Sequence, residues 1–203
     1  AVCEHLHFPL QSGSDRILAA MHRGYNKSKY MERLVEARRL VPDLAVTTDI
    51  IVGFPGETEK DFEETLALAA DAEFDGAYTF IFSPRPGTEA AEMTESFCDP
   101  TVVGQRYERL RSVILRSALR KHESRLGRIE EIVVEGPSKK NPDVITGRTR
   151  QNKRVHFDSP NKLPIGSIAT VEIMTASPNY LQGRLEEVLE VPKRKTRIPV
   201  VSV

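Results

Sequence analysis

The spacing of apolar and polar residues predicts alternating strands and helices over the first 124 residues. Residues 45–54 form a β-branched run, which is typical of a strand buried on both faces of a parallel sheet. Tyr30, Leu34, Ala37 and Val41 are spaced four, three and four apart, which predicts a helix before this strand. The strands predicted in this part are residues 5–10, 45–54 and 77–82. Because strands and helices alternate, the pattern predicts a parallel α/β sheet.

Two later helices have marked starts. Thr58 and Asp61 have the spacing of a capping box. Asp99 followed by Pro100 places an N-cap residue before a proline at the first helical position. The long helix that follows is predicted to bury an apolar stripe of Val103, Tyr107, Leu110 and Ile114.

After Gly127 the pattern changes to short strands separated by turns rich in Gly, Pro, Asn and Ser. The strands predicted here are residues 129–135, 144–149, 154–157, 168–175 and 180–189. Five short strands in about 60 residues predict a small closed β-barrel of OB-like character. We therefore expect an α/β domain over residues 1–124, a barrel over 126–190 and a basic tail over 191–203 that lacks fixed structure.

The formal net charge of zero is the sum of two unequal parts. Residues 1–124 carry 15 Lys+Arg against 20 Asp+Glu, whereas residues 125–203 carry 14 against 9. An acidic first part joined to a basic second part suggests that the second part meets a polyanion.

Composition excludes several classes of protein. The chain is 39% apolar and 29% charged, as in a globular protein, and no apolar run approaches the roughly 20 residues that span a bilayer. Cys3 and Cys98 are far apart, which argues against a disulfide scaffold and fits a reducing cytoplasm. Cys3, His5 and His7 would share one strand face, but such alternate spacing suits a single metal ion poorly. No metal site is predicted.

Two features suggest that the sequence is part of a longer protein. It begins with Ala1 rather than Met. Three parallel strands also cannot close a barrel, and they would leave an apolar edge unpaired.

Polar or glycine-rich groups follow each predicted strand of the first part, at residues 11–14, 49–57 and 83–88. Ligands of α/β proteins bind at the carboxyl ends of the strands, so these groups would meet at one rim. Each stretch taken alone is also compatible with a tight strand-to-helix turn.

Several long motifs, in the right order, resemble the radical SAM methylthiotransferases. The radical SAM part is matched by HFPLQSGSD (7–15), MHRGY (21–25), TDIIVGFPGET (48–58) and FIFSPRPGT (80–88). The TRAM RNA-binding domain of the family is resembled by VEGPSKK (134–140) and TGRT (146–149). The resemblance implies the C-terminal half of a radical SAM domain, a partial TIM-like parallel barrel, followed by a five-stranded OB-like TRAM barrel.

The resemblance also implies a site for S-adenosylmethionine. It would assign Gln11 to a ribose hydrogen bond, Asp49 to the ribose hydroxyls and Arg23 to the methionine carboxylate, which suits a planar cationic fork. Arg23 could instead be a surface arginine at a helix start. The full implied set is Gln11, Ser12, Arg23, Asp49, Ile51, Val52 and Gly53.

The remaining members of that set have apolar or backbone roles. Ile51 and Val52 would lie against adenine, and Gly53 would allow close backbone approach to the cofactor. Arg85 stands in a matching motif at a strand end, where substrate contact and structural ion pairing are both open.

The family's chemistry depends on groups that this sequence does not hold. A [4Fe–4S] cluster on a C-x-x-x-C-x-x-C motif cleaves S-adenosylmethionine to a radical that activates C2 of the target adenine. An auxiliary cluster supplies sulfur, and a second S-adenosylmethionine supplies the methyl group. No such motif occurs here, so the 203 residues alone are expected to be inactive and to contain no catalytic residue. An electron donor and a sulfur source would be partners.

The barrel is expected to bind tRNA at the anticodon stem-loop, chiefly through phosphates. Phe157 and Tyr180 are the obvious aromatic candidates for stacking, so a grip that tracks the backbone is predicted. A solvated basic surface without RNA remains the alternative. The cationic candidates are Lys139, Lys140, Arg148, Arg150, Lys153 and Arg154.

Within the family, the motifs at residues 11–13 and 83–88 favour the branch that modifies isopentenyl-adenosine beside the anticodon. The rival branches act on threonylcarbamoyl-adenosine in tRNA or on a ribosomal-protein aspartate. A non-catalytic RNA-binding module is the alternative of a different class.

Overall fold

A three-stranded parallel sheet forms the centre of the first part of the chain. The computed structural model describes residues 2–192, so most of the predicted basic tail, residues 193–203, lies outside the described residues. Strand β2 (Ala45–Val52) is central, flanked by β1 (His5–His7) and β3 (Gly76–Ile81), and both pairings are parallel. The first strand is shorter than predicted because Pro9 has no N–H to donate to the ladder, although Gln11 still forms a bridge with Ile50.

Within the described residues, five helices accompany this sheet: α1 (Asp15–Ala20), α2 (Lys27–Leu40), α3 (Glu59–Ala72), α4 (Glu89–Glu92) and α5 (Pro100–Glu123). A 3₁₀ turn, Thr94–Ser96, follows α4. The predicted helix starts are confirmed. Thr58 and Asp61 form a reciprocal capping box on α3, and Asp99 caps α5 by accepting from the backbone N–H of Thr101.

The two faces of β2 have different surroundings. Val46, Ile50 and Val52 are completely buried in the apolar core formed with the helices. Asp49 and Ile51, which point the other way, are only half-buried. The prediction that β2 is buried on both faces was therefore wrong, because helices cover only one face of the sheet among the described residues.

The second part is a closed barrel, which confirms the predicted fold class. Its strands are β4 (Ile129–Pro137), β5 (Val144–Thr149), β6 (Arg154–Asp158), β7 (Ile168–Ala176) and β8 (Leu181–Glu190). Their order around the barrel is β4-β5-β6-β8-β7, with β6 and β8 parallel and the other pairs antiparallel. Alternate residues point inward and fill the interior with Ile132, Val134, Val155, Phe157 and Val171.

The chain divides into two units. The first runs to Arg125 and includes the three residues Ser177–Asn179, and the second comprises Leu126–Ala176 and continues from Tyr180. No helix within residues 2–192 combines the length and the apolar character needed to cross a bilayer.

Candidate functional site

A cavity of about 580 Å³ opens at the carboxyl end of the parallel sheet. Gln11, Asp49 and Ile51 reach it from the strand ends, Arg23 from the loop after α1, and Arg85 from the loop after β3. The volume is within the usual range for small-molecule sites, and this rim is where α/β sheets bind ligands. Five residues singled out from the sequence therefore line one cavity.

The backbone of Gln11 is fixed against β2. Its N–H donates to the carbonyl of Asp49 at 2.8 Å, and its carbonyl accepts from the N–H of Ile51 at 2.9 Å. Gln11 has a φ of 68°, a left-handed conformation that is uncommon for a residue other than glycine. Such conformations persist where the surrounding structure determines them, and they cluster at functional sites.

Asp49 has a histidine neighbour that the sequence analysis did not assign to the cofactor site. His7 Nε2 lies 3.3 Å from Asp49 Oδ2, and His7 Nδ1 lies 3.0 Å from the hydroxyl of Thr47. The pairing of His7 with Thr47 in the β1–β2 register brings these side chains to one face. The contact of His7 with Oδ2 holds the Asp49 side chain in place. The other carboxylate oxygen, Asp49 Oδ1, has no partner among residues 2–192.

The cavity combines cations with an apolar wall. Arg23 and Arg85 are exposed, and neither has a carboxylate partner within the described part of the chain. The carbonyl of Arg85 accepts from the backbone and hydroxyl of Thr88, which holds the loop in a turn. The apolar wall includes Ile51, Phe54, Phe80 and Phe82. Unpaired guanidinium groups beside aromatic rings suit a ligand that carries both an anionic group and a flat ring.

Three residues of the implied cofactor set do not line this cavity. Ser12 is completely buried and its hydroxyl lies 3.3 Å from that of Thr65. Val52 is completely buried on the helix side of β2. The N–H of Gly53 donates to Glu57 Oε2 at 2.9 Å, and a Cβ at this position would lie 2.6 Å from Val103. These three residues shape the surrounding structure, so we leave them out of the contact set.

A buried ion pair supports the loop that carries Phe54. Glu57 lies 3.0 Å from Arg106 of α5, and both side chains are almost fully buried. Burial raises the pKa of Glu57, and the Gly53 N–H and Arg106 oppose that rise. Cys98 lies close by, 3.5 Å from the carbonyls of Phe54 and Glu57. Among residues 2–192, no three His, Cys, Asp or Glu side chains come together as metal ligands.

The cationic candidates of the barrel differ in their accessibility. Lys139 and Lys140 are exposed between β4 and β5, and Arg154 is exposed on β6. Arg148 lies 3.2 Å from Glu135, and Arg150 lies 3.6 Å from Glu131.

Lys153 does not belong with the exposed cations. It is only 4% exposed. A buried ammonium group cannot reach a phosphate on the surface, so we correct the prediction and remove Lys153 from the contact set.

Comparison with known proteins agrees with this division into parts. A model of the radical SAM superfamily matches residues 1–69, and a TRAM domain model matches residues 123–185. The tRNA-2-methylthio-N(6)-dimethylallyladenosine synthase of Moorella thermoacetica is 46% identical over 185 residues. This chain belongs to the radical SAM methylthiotransferase family. The synthases of Thermoanaerobacter sp. and Legionella pneumophila are 48% and 45% identical to this chain.

These relatives are longer than the chain. The similarity covers 91 to 93% of this chain but only 40 to 41% of the three relatives. Among solved structures, Escherichia coli coproporphyrinogen III oxidase (HemN), described as a radical SAM enzyme, shares 13% identity with a TM-score of 0.49. That match covers 72% of this chain and 41% of the other.

Proposed function

We propose that this chain is the part of a tRNA methylthiotransferase that holds S-adenosylmethionine and grips tRNA. The enzyme would add sulfur and a methyl group at C2 of N(6)-isopentenyladenosine beside the anticodon, in the cytoplasm. The observation that supports the proposal most directly is the shared cavity of Gln11, Arg23, Asp49 and Ile51. The names of the similar synthases support the choice of substrate.

Each cavity residue has chemistry that matches one part of S-adenosylmethionine. The carboxylate of Asp49 and the amide of Gln11 would hydrogen-bond the ribose hydroxyls, and the Arg23 guanidinium would pair with the methionine carboxylate. Ile51 and the neighbouring phenylalanines would cover adenine and exclude water. When bound, S-adenosylmethionine supplies the radical precursor and the methyl group, while these residues bind and orient it.

The residues present do not fit an iron–sulfur cluster. The sequence has only Cys3 and Cys98, and Cys98 faces backbone carbonyls. Cluster ligands are thiolates in sets of three or four, so this chain does not supply them. We propose that they belong to the part of the enzyme that corresponds to the remaining length of its relatives. An electron donor and a sulfur source would act as partners of that whole enzyme.

Replacing Asp49 tests the cofactor site. In the intact, cluster-loaded enzyme that contains this chain, Asp49→Ala should weaken S-adenosylmethionine binding by roughly tenfold or more in a calorimetric titration, because charged hydrogen bonds are lost. Asp71→Ala is the matched control, since Asp71 is an exposed aspartate on α3 away from the cavity. Equal affinities for the two variants would remove Asp49 from the site.

Nucleoside analysis tests the choice of substrate. The intact enzyme should methylthiolate tRNA that carries isopentenyladenosine and leave tRNA that carries threonylcarbamoyladenosine unmodified, as read by mass spectrometry. The reverse result, or modification of a ribosomal protein instead, would assign the enzyme to a rival branch. Tight RNA binding without any S-adenosylmethionine binding would show a non-catalytic RNA module.

A further inference from the structure

Two ring side chains meet on the outer surface of the barrel. His156 on β6 and Tyr180, just before β8, have ring centroids 5.2 Å apart in an edge-on arrangement. His156 Nδ1 also lies 3.0 Å from the hydroxyl of Thr146 on the neighbouring strand β5. The His156 ring is therefore held in a fixed orientation by contacts on both sides.

The rings of His156 and Tyr180 are more exposed than that of Phe157. Phe157 is only 2% exposed inside the barrel, which removes it as a stacking candidate, whereas Tyr180 remains 38% exposed. Burial, together with the charge of Arg154, lowers the pKa of His156 and so favours the neutral form of the ring. A neutral imidazole beside a tyrosine offers a flat apolar surface against which a base can stack.

Two arginines lie next to the rings on the same face. Arg148 and Arg154 are direct partners in the β5–β6 register, and Thr146 and His156 are partners two residues along. Arg148 is already paired with Glu135 at 3.2 Å, whereas Arg154 is exposed and has no ion pair among residues 2–192, so Arg154 is the cation left open to a phosphate. Two residues of strand span about 7 Å, so a phosphate at Arg154 would leave its attached base within reach of the rings.

Gln182 completes the surface on the other side of His156. It is the partner of His156 in the β6–β8 register, and its side-chain oxygen accepts from the hydroxyl of Thr175 at 2.9 Å. Its amide nitrogen has no partner among residues 2–192, so it can donate to an acceptor on the edge of a base.

We propose that this face, formed by His156, Tyr180, Gln182, Arg148 and Arg154, binds one unpaired nucleotide of RNA. The base stacks on the ring pair, and its phosphate lies at Arg154, with the Glu135-paired Arg148 beside it. The proposal rests on the proposed tRNA function and refines it, because the barrel then selects single-stranded nucleotides and does not only follow the backbone.

The test compares two RNAs and two kinds of variant. A synthetic hairpin with a seven-nucleotide loop carrying 2-aminopurine and a fully paired duplex of the same stem are titrated with the full chain. Tyr180→Leu should weaken hairpin binding by roughly tenfold, the usual cost of one lost base stack, and should abolish the change in 2-aminopurine fluorescence. Duplex affinity and the salt dependence of hairpin binding should stay the same, because no charge is removed.

Three further variants complete the test, two as controls and one as a second disruption of the ring pair. Tyr180→Phe retains the ring and should bind like the wild type. His156→Ala should reproduce the loss independently. Met174→Ala removes exposed apolar surface on β7, which does not pair with β5 or β6, and should have no effect.

If Tyr180→Leu weakens hairpin and duplex binding equally, or leaves hairpin binding unchanged, the stacking site is overturned. The proposed function survives either result as long as the wild-type chain binds RNA. A wild-type chain that binds neither RNA would overturn both the stacking site and the RNA part of the proposed function.

Discussion

Gly53 and Gly56 have almost the same φ angle but different surroundings. Their φ angles are +76° and +77°, but a Cβ on Gly53 would lie 2.6 Å from Val103, whereas nothing lies within 4 Å of the same position on Gly56. A left-handed backbone costs an L-residue about 1–2 kcal/mol, and overpacking adds about 1–3 kcal/mol. Gly53→Ala should therefore lower the free energy of unfolding by more than Gly56→Ala, as measured by urea denaturation.

The difference between these two variants isolates the contact with Val103. In a Val103→Ala background, the cost of Gly53→Ala should fall towards that of Gly56→Ala, because the side chain that crowds the new Cβ has been removed. If Gly53→Ala costs the same in both backgrounds, Val103 is not the reason for glycine at position 53.

Asp61 links the first unit's stability to pH. Burial alone would raise its pKa, but hydrogen bonds from Arg16, Ser14 and Thr58 outweigh burial and hold the pKa well below its usual range. A carboxylate with a depressed pKa stabilises the fold above its unfolded pKa, near 4, and that contribution is lost as pH falls further. Thermal unfolding between pH 5 and 2 should show this loss.

The Asp61→Asn variant should unfold with a weaker dependence on pH over that range, because it has no proton to bind. Asp71→Asn, an exposed aspartate on the same helix, should behave like the wild type. If the unfolding temperature of Asp61→Asn falls with pH as steeply as that of the wild type, groups other than Asp61 cause the loss of stability in acid.

Part of the cavity can be predicted from sequence and part cannot. The period of two along β2 already separates Asp49 and Ile51 from Val52, so Val52 could have been excluded beforehand. The role of Ser12 depends on Thr65, which is 53 residues away, and local sequence contains no sign of that contact. His7 is on the correct strand face by the same alternation, but its meeting with Asp49 depends on the β1–β2 register.

At the scale of elements, one ion pair connects the loop after β2 to α5. Arg106 is 6% exposed at its side chain and lies 3.0 Å from both Glu57 and Glu59. Removing one partner of a buried pair leaves an uncompensated charge, which costs about 3–5 kcal/mol. Arg106→Met should therefore destabilise the first unit by that amount in chemical denaturation.

Adding Glu57→Gln to Arg106→Met should recover much of the loss, because the amide removes the unpaired charge and can still accept from the Gly53 N–H. Arg111→Met breaks an exposed pair with Glu108 and should cost about 0.5 kcal/mol or less. A similar small cost for Arg106→Met would show that solvent already compensates Glu57.

The helices and barrel strands follow from local sequence more completely than the pairing of strands does. The starts of α3 and α5 are set by capping side chains, Thr58 and Asp99, that can be read within four residues. The parallel pairing of β6 with β8 is not local, because β7 intervenes in sequence but not in space. The short helix α4 was also missed, and no side-chain hydrogen bond caps its start.

At the scale of the whole molecule, the net positive charge of residues 125–203 is concentrated near the C-terminal end of the sequence. Residues 125–192 carry ten Lys+Arg against nine Asp+Glu, so the barrel region is almost neutral. Four of the five excess positive charges of the second part come from a stretch without any acid, which holds Lys193, Arg194, Lys195 and Arg197. Long-range attraction to RNA should therefore depend more on this segment than on the barrel.

Salt dependence measures that contribution directly. Each phosphate neutralised changes the slope of log affinity against log salt by about −0.7 to −0.9, so replacing the four cations by Gln should flatten the slope by up to about 3. Replacing Lys139 and Lys140 by Gln should flatten it by at most about half as much, because two charges are removed. Both variants keep chain length and the ring pair of the barrel, so preference for the hairpin over the duplex should persist. If the four-cation variant keeps the wild-type slope, the barrel supplies the phosphate contacts by itself, despite its near-neutral charge.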